Sequence, residues 1–109
     1  MIYRQGDIIL KKISKEEFEK KGRELIPNKI SQQFVIARGE TTGHSHRLVD
    51  FEEAFILQDE SGRFYLNLPV KARVIHEEHA PIELEDGYYE IWREQEYDYW
   101  KEESRRISD

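Results

Sequence analysis

The chain has 109 residues, with 23 acidic and 17 basic side chains, a net charge of −6 and a pI near 5.3. An acidic balance of this kind supplies no overall field that would draw nucleic acid or anionic lipid. No apolar run reaches membrane-spanning length, and the lack of cysteine removes disulfides, thiolate ligands and cysteine nucleophiles.

The length suits one domain. Mean hydropathy is −0.84, yet five Phe, six Tyr and two Trp can bury enough surface to offset chain entropy. The expectation is a small aromatic core under a charged surface. No secretory signal pattern is present, so the cytoplasm is the expected location. Arg4, Arg38, Arg47, Arg63, Arg73 and Arg93 fall in or beside predicted strands and leave room for a local basic patch.

In chain order, Ile2 to Ile13 reads as extended, with Asp7-Ile8-Ile9-Leu10 behind the turn residue Gly6. Ser14 with Glu17 three residues on is a capping-box pattern, so one short N-terminal helix follows, anchored by Phe18 and ended near Gly22. Pro27 and Asn28 break the chain. Gln33 to Ala37 is a predicted strand closing at Gly39. Phe51 to Gln58 and Arg63 to Leu68 form a predicted hairpin across Asp59-Glu60-Ser61-Gly62. Lys71 to His76 alternates, placing Ala72, Val74 and His76 on one face. Pro81 to Leu84 and Tyr88 to Tyr97 flank the turn Glu85-Asp86-Gly87. Aromatic residues occur on both faces of that last strand, which suggests a homodimer surface. Residues 1–100 read as one β domain and 101–109 as a polar tail. Closely spaced short strands with glycine turns predict an all-β barrel or sandwich.

The four histidines are arranged as His44-x-His46 and His76-x-x-His79. Side chains at i and i+2 of a strand share a face, so His44 and His46 can point into one space. His76 and His79 do not share a strand face and meet only if the chain turns before Pro81. His44, His46, His76 and His79 are therefore the candidate metal ligands, for a divalent transition ion such as Zn, Fe, Ni or Mn. Glu40, Glu52, Glu53, Glu77 and Glu78 are the candidate carboxylate ligands or bases. Three other readings use the same residues. In the plainest, the histidines are solvated, bond to nearby backbone or cap the end of a barrel with no ligand. Thr41, Thr42, Ser45 and Arg47 beside the first pair form a donor cluster for a phosphate or nucleotide ligand, in a binding module without catalysis that could equally serve a partner protein. Alternatively, paired imidazoles act as acid and base on a phosphodiester, with Arg47 stabilising the developing charge and Arg73 or Arg93 joining. His76-Glu77-Glu78-His79 is one residue short of the zinc-helix spacing, and no P-loop or Rossmann fingerprint is present.

Thr42-Gly43-His44-Ser45-His46-Arg47, followed by His76-Glu77-Glu78-His79-Ala80-Pro81-Ile82-Glu83-Leu84 and Gly87-Tyr88-Tyr89-Glu90, resembles a family of small uncharacterised bacterial and phage proteins, a likeness running from Ile8 to Tyr97. The chain is also similar to cupins, with Gly39, His44, His46, Glu52 or Glu53, and His76 as counterparts of the cupin motif residues, although Gly39 stands one residue nearer His44 and the glutamates come later than in that motif. This second resemblance implies a metal-binding β-barrel. A metal on His44, His46, His76 and His79 would activate water or polarise a substrate oxygen, which leads to the expectation of a small metal-dependent hydrolase or isomerase.

Overall fold

The computed structural model describes residues 1–23, 25–39 and 43–94. Glu40, Thr41, Thr42, Tyr97, Tyr99, Trp100 and the tail at 101–109 lie outside the described residues. The described part is all-β with one short helix, as expected. Its strands are β1 (Ile2–Gln5), β2 (Ile8–Ile13), β3 (Asn28–Arg38), β4 (Ser45–Gln58), β5 (Phe64–Leu68), β6 (Ala72–Ile75), β7 (Ile82–Leu84) and β8 (Gly87–Arg93). The helix α1 spans Lys15–Gly22. No described helix is long and apolar enough to cross a membrane.

The strands form one antiparallel sheet in the order β1-β2-β8-β5-β4-β6-β7, with β3 also on β4, curled into a nearly closed barrel. The first extended stretch is thus a hairpin, β1 and β2, folded at Gly6 and Asp7. Strand β4 begins at Ser45, well before Phe51, and its two halves serve different partners: Arg47 to Val49 pair with β6, Phe55 to Gln58 with β5. Between them Asp50 takes a φ of 61°, and Gln32 opposite takes 66° where the β3–β4 register shifts. Such bulges bend a strand and re-aim its side chains, which lets one long strand turn the corner of a small barrel.

Inside lie Ile8, Leu10, Leu48, Ala54, Leu66, Leu68, Val74, Leu84, Tyr89 and Ile91, all at most 1% exposed. Alternation along each strand produces this inward set. A smaller cluster of Ile13, Phe18, Leu57 and Tyr65 sits under α1. The Ser14 hydroxyl accepts the Glu17 N–H at 3.1 Å, as the capping pattern predicts. Aromatics on the outer face of β8 are met within the chain. Tyr88 packs on Phe18 with centroids 5.3 Å apart, and the Arg63 guanidinium lies over the Trp92 ring at 5.0 Å.

Candidate functional site

The β4–β6 ladder sets the two histidine pairs against each other. Arg47 faces Ile75 and Leu48 faces Val74, so one step further along the ladder His46 comes opposite His76. Their ring centroids are 4.4 Å apart. His44, two residues before His46, brings its ring to 5.6 Å from that of His76. Beyond β6 the chain bends, and the Glu78 N–H donates to His76 Nδ1 at 3.0 Å. This bend returns His79 to the cluster, 4.7 Å from His76 and nearly parallel to His46 at 6.1 Å. All four imidazoles share one end of the barrel.

Two further residues of the site come from the β1–β2 turn. Gln5 is 3% exposed, and its side-chain amide donates to Val74 O and Ala80 O, each at 2.9 Å. This amide ties edge strand β1 to the β6–β7 end of the sheet and so helps close the barrel. With both N–H groups on carbonyls, Gln5 Oε1 is the atom left to face His46 Nδ1, at 2.8 Å. A carbonyl oxygen only accepts, so His46 Nδ1 carries the proton. In the neutral ring the lone pair is then on Nε2, which points at Asp7 Oδ1, 3.2 Å away. The other Asp7 oxygen lies 3.2 Å from Arg93 Nε, a charge contact without hydrogen-bond alignment. Arg93 also donates to the Arg38 carbonyl.

Gly6 makes this convergence sterically feasible. It adopts a φ of +58°, and a Cβ there would stand 2.7 Å from His79 Nε2 and 3.3 Å from His46 Cε1. The turn passes close beneath both rings, and its left-handed φ is one that glycine adopts without strain.

Other predicted residues have different employment. Arg47 lies on the opposite face of β4 from His46 and Leu48, and its Nη1 is 3.5 Å from Glu77 Oε1. Glu77 in turn accepts the Ser45 N–H at 3.1 and 3.2 Å, bracing the start of β4. Glu78 Oε1 is 3.7 Å from His44 Nδ1. Glu53 pairs with Lys29 on the β3–β4 ribbon, and Arg73 with Glu83 and Asp50. Among the described residues no three His, Asp or Glu side chains form a ready-made ligand set as they lie. His76 Nδ1 already accepts from Glu78, so its neutral ring holds the proton on Nε2 and is presented as a donor.

Burial lowers the His46 pKa from its ordinary value of 6.5, with the neighbouring His76 charge adding to the effect and Asp7 opposing it. The folded protein therefore binds a proton at His46 less readily than the unfolded chain does. The contribution of His46 to stability is full above about pH 6.5 and declines as pH falls toward the depressed folded value. Urea midpoints measured at about pH 7.5 and about pH 5 should show this decline. A His46→Asn variant should flatten it.

The matched residues decide the family. The chain belongs to the family described as Domain of unknown function (DUF8820), whose profile spans residues 4–94. That span holds Gln5, Gly6, Asp7, Arg93 and all four histidines, so the entire cluster is family territory. No curated protein and no solved structure matches the chain.

Sequence reasoning missed Gln5 and Asp7. Their only local signal is the glycine between them, which predicts a turn and nothing about what the turn touches.

Proposed function

We propose that this end of the barrel binds a divalent transition-metal ion, with His46 Nε2 and Asp7 Oδ1 as its first two ligands and His79 as the third. The supporting observation is the 3.2 Å separation of His46 Nε2 and Asp7 Oδ1. Two atoms each about 2.1 Å from one ion, at tetrahedral or octahedral angles, stand roughly 3.0 to 3.4 Å apart. Gln5 supplies the outer hydrogen bond that ligating histidines usually have, holding the ring with its lone pair toward the carboxylate. Arg93 steadies Asp7 through its charge, its Nε lying 3.2 Å from the other carboxylate oxygen. His79 needs only a turn of an exposed side chain to present Nε2, which already lies against the same Gly6 surface.

Imidazole and carboxylate together suit Zn, Fe, Ni or Mn. Three protein ligands leave coordination positions open, the condition for activating water or polarising a substrate oxygen. His76, whose ring lies between those of His46 and His79, and His44 beyond it are then available to move protons beside the ion. The reading is cupin-like in plan, a His-x-His strand and a later histidine in a small barrel, but the carboxylate comes from the β1–β2 turn and not from Glu52 or Glu53. Metal-free phosphodiester cleavage has less support, because Arg47 is committed to Glu77 on the other face of β4.

Elemental analysis of untagged protein, purified without chelator, tests the proposal. We expect close to one metal ion per chain, lost on prolonged chelation and regained from Zn, Fe, Ni or Mn salts. Metal at a hundredfold excess over Kd should stabilise the stripped protein by about 2.7 kcal/mol. Protein without metal, whose melting midpoint none of the four ions moves, would refute it.

A further inference from the structure

Next to the histidine cluster a cleft of about 280 Å³ opens between the ends of β3, β5 and β8, lined in part by Ile8, Ile36, Phe64, Ile91, Arg38 and Arg93. We infer that it binds a small organic anion, with an apolar body of about one ring on the isoleucines and Phe64 and the charged end at the two guanidinium groups. The inference goes beyond the metal reading and does not require it.

Charge carries the argument. The chain has more acids than bases, 23 against 17, yet the walls of this cleft include two arginines and no acidic residue. Its floor is apolar: Ile8 and Ile91 are 1% exposed and Ile36 is 7% exposed. An apolar floor with a few fixed polar groups is the usual make-up of a small-molecule site, and this volume falls at the small end of such sites. Guanidinium groups recognise carboxylates and phosphates through paired N–H donors. Arg93 is held in place by its contacts to Asp7 and to the Arg38 carbonyl, so little side-chain entropy remains to be lost when an anion arrives.

Position adds to this. Ala37, in the cleft wall, is the direct β3 partner of His46 on β4. Arg93 reaches from the cleft to Asp7. An anion held there lies beside the imidazoles, with Arg93 as the shared wall.

A ¹H–¹⁵N titration of the full chain, metal-stripped and metal-loaded, with benzoate, phenyl phosphate and the neutral benzamide tests the inference. Benzoate, phenyl phosphate or both should give saturable shifts at the amides of Ile36, Ala37, Phe64 and Ile91, and whichever binds tighter identifies the anionic group. Benzamide should bind at least tenfold more weakly. Arg38→Gln, at an exposed position, should weaken the anions by about tenfold and leave benzamide unchanged. Equal binding of benzamide, no saturable shift at tens of millimolar, or shifts confined to His46 and His79 would each overturn it. Persistence of the shifts in stripped protein separates this outcome from the fate of the metal reading.

Discussion

Replacing His46 by alanine is expected to cost about 3 kcal/mol of stability and to abolish the metal binding proposed for this site. The side chain is 2% exposed, so its loss opens a cavity at the barrel end. It also strands Gln5 Oε1, a buried acceptor left without its donor. His46→Asn separates the two roles. The asparagine amide occupies roughly the place of Nδ1 and can still donate to Gln5, so about 1 kcal/mol of the loss should return. It has no counterpart to Nε2, and metal affinity should stay at least a hundredfold below that of the parent. Urea denaturation of the stripped proteins, alongside competition with a chromogenic chelator, reads both quantities. Unchanged metal affinity in either variant would remove His46 from the ligand set.

Gly6→Ala should cost about 1 to 2 kcal/mol through its backbone and weaken metal binding at least tenfold through its side chain. The backbone cost arises because an L-residue is disfavoured at a φ of +58°. The second effect arises because the new methyl would stand 2.7 Å from His79 Nε2, the atom assigned to the metal, and would drive the ring away. Gly43→Ala provides the comparison. Gly43 has a φ of +84° but no heavy atom within 4 Å of the added Cβ. It should lose about as much stability and keep its affinity. Thermal melts with and without metal measure both. Equal loss of affinity in the two variants would show that His79 stands outside the ligand set.

Much of the architecture was legible in the chain because it is locally encoded. The Ser14 cap, the Phe18 anchor, the Asp59–Gly62 turn and the alternation through Phe64, Leu66 and Leu68 each depend on neighbours a few residues away. The same holds for Ala72, Val74 and His76, whose period of two put the histidine on the inner face before any pairing was known. Strand ends were less legible. Val49, Asp50, Phe51 and Glu52 break the alternation, and only the bulge at Asp50 explains why β4 runs unbroken from Ser45.

By itself the sequence determined an all-β domain with one capped helix, and it marked His44, His46, His76 and His79 by their spacing. Tertiary structure alone decided that the two pairs meet, because that depends on β4 choosing β6 as partner in a register no local pattern encodes. It also decided that Gln5 and Asp7 join them and that Arg47 does not. Those assignments follow from barrel closure, which brings the β1–β2 turn beneath the rings and leaves the other face of β4 to Glu77. Side-chain direction along a strand is set by the chain's own pleat, whereas the company a side chain keeps is set by strands distant in sequence.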